Sequence, residues 1–255
     1  MRFASLGSGS RGNALIVESG STRVLLDCGF SVRETERRLA RLGVDAGSIS
    51  SILVTHEHSD HIAGAFKFAR RYRIPVWLTH GTLAAAPPSI GEVPEVRVID
   101  GHSRYALDAF EILPYPVPHD AREPVQYVFS DGRRRLGVLT DAGCLTPHIA
   151  EMLDACDALV LECNHDLQML TSSNYPLSLR RRISGRLGHL DNVTAGSLFS
   201  LINGAHLQHV VAEHLSEQNN LPELAVAALS EAIGCEPEWI GIASQEEGFD
   251  WRQIF

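Results

Sequence analysis

The strongest constraint on this chain is the stretch Ser51-Ile52-Leu53-Val54-Thr55-His56-Glu57-His58-Ser59-Asp60-His61. Ile52, Leu53 and Val54 make a short, unbroken apolar run, as in strands buried on both faces and covered by helices. Thr55 onward is then a loop at the C-terminal end of a strand, where α/β folds place their sites. His56, His58, Asp60 and His61 put four metal-ligating side chains into six positions. His56 and His58 are two apart, so in extended backbone both imidazoles leave on one side. Asp60 and His61 follow at once and reach a second position close by. Imidazoles joined by a carboxylate suit Zn²⁺, Mn²⁺ or Fe rather than an ion that prefers thiolates.

At 255 residues the chain is expected to form one domain, 1–255, with ample length for a large core. No apolar run approaches a membrane span. The start, Met1 to Ser10, is too short and too quickly polar for a secretory signal, so the cytoplasm is the expected location. The five cysteines stand singly, none in a CxxC pair, and read as reduced, mostly buried thiols. A net charge of −9 argues against a general basic nucleic-acid binder. Part of that charge belongs to carboxylates suited to cations, and two divalent ions would offset several units of it. Net charge therefore does not decide the substrate.

The HxHxDH pattern after a strand resembles the signature of the metallo-β-lactamase superfamily. That resemblance implies an α/β architecture, an αββα sandwich of two packed sheets with helices outside, and it assigns roles along the chain. Asp27 ends a strand that begins at Thr22, where the superfamily's Asp lies beneath the metal site and fixes a ligand histidine. His119 follows the strand Phe110–Val117 and would complete a trio with His56 and His58. Asp141, at the end of Leu136–Leu139, would bridge two metals; the drug-hydrolysing branch carries a cysteine there. His214, after the strand Leu207–Ala212, would join Asp60, His61 and Asp141 at the second ion.

The remaining pattern reads as strands over Arg2–Leu6, Ala14–Glu18, Pro75–Thr79, Val125–Ser130 and Asp157–Leu161, with a tail strand near Trp239–Ile242. Glu95–Ile99, Tyr105–Leu107 and Phe110–Val117 read as one β meander. Ser31 caps a surface helix whose charged face includes Arg38. Ile62–Tyr72 has helical spacing, His80 opens a further helix, and Pro87-Pro88 breaks the chain. Gly7–Asn13 is a glycine-rich loop that suits either a tight hairpin or backbone contacts to phosphate. After Leu161, Asn164 and Asp166 read as the start of a capped helix, while His165 stays open. Arg180, Arg181, Arg182 and Arg186 make the most basic window, suited to a solvated helix face or to phosphate contacts. Asn219 and Asn220 suit either phosphate binding or a turn.

Glu162 and His189 match a pair that serves as proton shuttle in the superfamily's phosphodiesterases, the ribonuclease Z group in particular. His189 lies just before a helix N-terminus, where the dipole would favour a neutral imidazole. GSGSRGN (7–13), THEHSDH (55–61), ECNHD (162–166), YPLSLRRRISGRLGHLDN (175–192) and HLSEQNN (214–220) come in that order. Together they resemble the WalJ/YycJ-type hydrolases, from residue 3 to about residue 240. The chain departs at Asp191, where that group has Ser after His-Leu. The resemblance implies a DNA-directed nuclease, a 5′ exonuclease using two Zn²⁺ or Mn²⁺ ions and a hydroxide held between them. Asp60, Glu162 and His189 are then the catalytic residues. A rival enzyme reading is a small-molecule thioester or cyclic phosphodiester hydrolase; arginines of the 179–186 window pointing away from the metals would favour it. A third is a non-catalytic metal-binding regulator, which would lack a ligand that this chain has.

Overall fold

Alternation along the strands determines the layers. In the strand Ala14–Ser19, Leu15 and Val17 face one apolar cluster while Ala14 and Ile16 face another. Ala158 and Val160 likewise face the first of these clusters, whereas Leu159 and Leu161 face a third. Strands buried on both faces need two covering layers each, and a sandwich of two sheets between helices supplies them. The computed structural model describes residues 1–87 and 95–255; Pro88 lies outside the described residues.

The first sheet contains β1 (Arg2–Gly7), β2 (Ala14–Ser19), β3 (Thr22–Leu26), β4 (Ser51–Leu53), β5 (Val76–Thr79) and β6 (Val96–Ile99). The second contains β7 (Tyr105–Leu107), β8 (Phe110–Pro116), β9 (Val125–Ser130), β10 (Arg135–Leu139), β11 (Ala158–Glu162), β12 (His209–Glu213) and β13 (Ile240–Ile242). β14 (Phe249–Gln253) returns to the first sheet, whose order is β14-β1-β2-β3-β4-β5-β6; the second runs β13-β12-β11-β10-β9-β8-β7. Phe3, Leu15, Leu53, Phe110, Tyr127 and Val160 lie in the core between them. β3 to β6 are parallel neighbours, and so are β10 to β13.

The helices are α1 (Val32–Arg41), α2 (Ser59–Ile62), α3 (Ala65–Tyr72), α4 (His80–Ala85), α5 (Pro147–Leu153), α6 (Leu167–Ser172), α7 (Leu177–Ile183), α8 (Asn192–Ser197) and α9 (Pro222–Ile233). Leu39 of α1 and Phe66 and Phe68 of α3 cover the outside of the first sheet. Ile149 and Leu153 of α5, Ala195 of α8 and Leu229 of α9 cover the second. This is the αββα sandwich expected from the sequence. No helix of the described residues is long and apolar enough to cross a membrane.

Three local expectations are corrected, and one strand has no counterpart among them. The proposed meander is split: β6 pairs parallel with β5 in the first sheet, while β7 and β8 form an antiparallel pair in the second. The helix expected over Ile62–Tyr72 starts earlier, at Ser59, and breaks before Ala65. Gly64 causes that break, since its N–H donates to the Cys28 carbonyl at 2.8 Å. Arg38 is buried, with its guanidinium donating to the carbonyls of Leu6 (2.6 Å) and Gln245 (2.9 Å). β14 carries the mixed sequence FDWRQ, which lacks an apolar alternation to announce it.

Leu53 is the last residue of β4 and is wholly buried between the sheets. Leu53→Ala is expected to cost about 2–5 kcal/mol of unfolding free energy, as for other large-to-small core changes, measured by urea denaturation.

Candidate metal centre

Near the metal loop, three strand ends turn sharply at residues that are not glycine. Asp27, Asp141 and His214 have φ of 60°, 48° and 54°, just beyond β3, β10 and β12. The left-handed region is uncommon for such residues, and its cost is tolerated chiefly where function fixes the geometry.

Asp27 is buried and takes most of its partners from the metal loop. Its carboxylate accepts from the Thr55 N–H at 2.8 Å, the Thr55 hydroxyl at 2.9 Å and His61 Nδ1–H at 2.7 Å. The Thr55 hydroxyl, its proton given to Asp27, accepts from His56 Nδ1–H at 2.9 Å. Asp27 therefore orients His61 directly and His56 through one hydroxyl, leaving Nε2 of both rings for another partner. His119 is fixed in the same way, with Nδ1–H donating to the Gly188 carbonyl at 3.0 Å. Gly29 closes the loop from below: a Cβ there would lie 1.8 Å from the Asp60 carbonyl oxygen.

The oriented rings converge in two clusters. His56, His58 and His119 form one, with His119 Nε2 3.2 Å from His58 Nδ1. Asp60, His61 and His214 form the other, with Asp60 Oδ2 at 3.3 Å and 3.4 Å from the two Nε2 atoms. Asp141 stands between them: Oδ2 is 2.9 Å from His61 Nε2, and Oδ1 is 3.9 Å from His119 Nε2. All seven residues that the sequence suggests as ligands are thus gathered at one edge of the sandwich.

The donor set fits a cation. His56 Nε2 is buried and has no hydrogen-bond partner among the described residues. Burial, aided by neighbouring imidazoles, holds His56 well below the usual pKa and so neutral. Burial also pulls on His61 and His214, but the surrounding carboxylates, Asp141 foremost, outweigh it and hold both well above the usual range. A divalent ion would displace the protons on His61 and His214 and answer the surplus of carboxylates.

Glu162, at the end of β11, is fully buried. One oxygen accepts from the backbone N–H groups of Ala142 (2.9 Å) and Leu190 (3.1 Å). The other faces His189 Nδ1 at 2.8 Å and His214 Nδ1 at 3.3 Å. Burial would raise the Glu162 pKa, but His189 and His214 more than reverse this and bring it to about 2. For His189, burial acts downward, yet Glu162 and Asp141 push it up to about 9. The neutral imidazole expected from the helix dipole is therefore corrected, because two adjacent carboxylates outweigh a terminus three residues away.

The glycine-rich loop 7–13 serves the site as a brace. Asn13 donates to Asp60 Oδ2 at 3.2 Å, Ser8 donates to Asn13 Oδ1 at 3.1 Å, and the His214 N–H donates to Ser8 Oγ at 2.9 Å. The sequence reading did not single out Ser8 or Asn13. Their only signal was proximity to glycines, which equally suits a hairpin.

A cleft of about 360 Å³ opens onto both clusters, lined by His58, Asp60, Asp141, His189 and His214 among others. Of the arginine window, Arg182 lines it and donates to Asp120 at 2.6 Å. Arg180 instead donates to the Thr171 carbonyl, and neither Arg180 nor Arg181 lines the cleft. Asn219 and Asn220 are corrected as substrate contacts: both are buried and off the cleft wall. Asn220 donates to the Cys163 carbonyl at 2.7 Å, and the Asn219 N–H donates to Ser216 Oγ at 3.2 Å. Asp166 caps α6 as expected. His165 is buried apart from the clusters, with neither ring nitrogen partnered among the described residues.

Two histidine–carboxylate clusters at one edge of an αββα sandwich define a metal-dependent hydrolase, and a family model described as a beta-lactamase superfamily domain matches residues 22–214. The chain belongs to the metallo-β-lactamase superfamily, in the branch that holds the YycJ- and WalJ-type proteins. It is 33% identical to exodeoxyribonuclease YycJ of Bacillus anthracis over 257 residues, which cover 100% of this chain and 93% of the relative. It is 31% identical to exodeoxyribonuclease WalJ of Streptococcus pneumoniae serotype 2 over 228 residues, 88% of this chain and 85% of the relative. The metallo-beta-lactamase fold protein YhfI of Bacillus subtilis superimposes with a TM-score of 0.76 over 98% of both chains. At 16% identity that likeness speaks to fold alone.

Asp27 belongs to neither cluster, yet it orients two imidazoles. Asp27→Asn is expected to weaken divalent-ion affinity by about 10–100-fold, measured by competition of the apo-protein with a chromophoric chelator. Unchanged affinity would mean that Thr55 and the loop hold His56 and His61 without it.

Proposed function

We propose that this metal-dependent hydrolase is a DNA exonuclease acting from the 5′ end with two divalent ions, Zn²⁺ or Mn²⁺. The observation that carries this reading is the Glu162–His189 pair, 2.8 Å apart, in which the buried Glu162 holds His189 on the wall of the cleft beside both clusters. A phosphodiester has an alkoxide leaving group that needs a proton, and a thioester does not. The names of the YycJ and WalJ relatives support DNA as the substrate and exonuclease action. The 5′ polarity rests on the sequence resemblance.

His56, His58 and His119 would hold one ion and Asp60, His61 and His214 the other, with Asp141 shared. When bound, such ions make water nucleophilic near neutral pH and offset negative charge developing on a phosphoryl oxygen. The chain's own residues do the rest. Asp60 lines the cleft, held by Asn13, and orients the attacking water. His189 keeps Nδ1 on Glu162, so Nε2 can deliver a proton to the leaving oxygen. Glu162 stabilises the imidazolium in a dry setting. Arg182, already paired with Asp120 at the mouth, can turn its remaining N–H groups toward a phosphate.

A small-phosphodiester or thioester hydrolase is the second reading. Only one arginine of the basic window lines a cleft of modest volume, which favours it. Two substrates separate these ideas. Metal-loaded wild type is expected to shorten end-labelled linear DNA. His189→Gln should lose about 10²–10⁴-fold on DNA while cleaving bis(4-nitrophenyl) phosphate almost normally, because nitrophenolate leaves without a proton. Equal losses on both esters would remove the proton-donor role. A wild type that turns over small esters but no DNA would overturn the nuclease reading.

A further inference from the structure

The cleft lining is of two kinds. Part of it is polar and includes Ser10 and Ser216. Another part is made by Tyr175, Leu179 and Ile183. Leu179 and Ile183, four apart on α7, share one helical face, and Tyr175, in the bend before Pro176 caps that helix, lines the same cleft. All three are partly exposed. Arg182 of the same helix also lines the cleft and is paired with Asp120, whereas the surface made by Tyr175, Leu179 and Ile183 offers no charged group to a phosphate. It can hold a flat ring.

Its position relative to the proton donor is fixed. The His189 N–H donates to the Ile183 carbonyl at 2.8 Å. Gly188 packs so closely that a Cβ there would lie 2.1 Å from the same oxygen. The end of α7 and His189 are therefore one rigid piece, and whatever His189 protonates lies beside the α7 wall. In attack from a 5′ end, the protonated atom is O3′ of the departing terminal nucleotide. Water adds to phosphorus, the P–O3′ bond breaks, and the proton from His189 goes to O3′.

We infer that Tyr175, Leu179 and Ile183 form the subsite for the base of the departing terminal nucleotide, which they hold by stacking and apolar contact. The inference rests on the nuclease reading and refines it. A stacking surface accepts every base, as single-strand binding surfaces do. It suits an enzyme that must remove nucleotides in any order.

The test uses metal-loaded, full-length protein and 5′-phosphorylated single-stranded oligonucleotides. One set carries any of the four bases at the 5′ terminus, and another carries a tetrahydrofuran abasic residue there. For wild type, kcat/KM for release of the first nucleotide should be about tenfold lower on the abasic end, within the range of one stacked base. Tyr175→Ala should lose about the same factor on base-bearing ends and little on the abasic end, whereas Tyr175→Phe should keep the discrimination. Equal wild-type rates on both ends would overturn the subsite and leave the nuclease standing. A Tyr175→Ala loss of the same size on both ends would likewise overturn it. No hydrolysis of any end by wild type would overturn the nuclease reading itself, and the subsite with it.

Discussion

The site hangs on one buried carboxylate. Asp27 is almost inaccessible to water, and an isolated charge there would be expensive. It is satisfied only by the loop that follows β4, through the Thr55 amide, the Thr55 hydroxyl and His61. The chain can therefore complete this network only by bringing the ends of β3 and β4 together in their parallel register. The same contacts choose the tautomers of His56 and His61. Folding and ligand orientation are one event here. A substitution at Asp27 strikes both, because the charge and its partners lose each other at once.

Three of the six described non-glycine residues in left-handed backbone, Asp27, Asp141 and His214, sit together at the cleft, each at a cost on the order of 1–3 kcal/mol. They are the turns that bend a strand end back across the edge, so part of the backbone strain falls within the candidate site. Rigid strands on either side supply the support. β10, β11 and β12 are adjacent and parallel, and their apolar residues fill clusters on both faces. Gly188 adds a second kind of tightness: it joins the end of α7 to His189 and gives its carbonyl to His119. One small residue thus ties a ring of the histidine cluster, His189 and a cleft wall into a single unit.

The sandwich was largely legible because strands buried on both faces spell their own pattern. Ala158 to Leu161 and Ile52 to Val54 could hardly be anything else. The candidate ligands were legible because most of them follow such a run and because the order of the motifs resembles that of the superfamily. What could not be read depends on contacts between distant segments. Ser8 and Asn13 brace His214 and Asp60 across more than forty positions of sequence, with no local signal. Arg38 looks like a solvated charge until its carbonyl partners are seen. Asn220 looks like a polar loop residue and is an internal cross-link between Cys163 and Asn192. The charge of His189 is misjudged from its place before a helix, because the dipole is local, whereas the weight of Glu162 and Asp141 depends on how closely the fold sets both carboxylates against the ring.

Charge gives the last constraint on how a polyanion could use this surface. With a net charge of −9, the whole molecule repels a distant nucleic acid, and the arginine window does little to reverse this, since only Arg182 of that window reaches the cleft. Long-range steering and counterion release, which give basic nucleases their steep salt dependence, are then minor. Attraction has to be generated within a few ångströms, by the cations that the histidine–carboxylate clusters are suited to hold and by contact with the cleft walls. Short-range attraction favours a chain terminus, which can enter a small cleft and leave most of its phosphates outside, over an internal segment that must lay many of them along an acidic surface. On this argument a preference for ends would follow from the charge distribution as well as from the size of the opening.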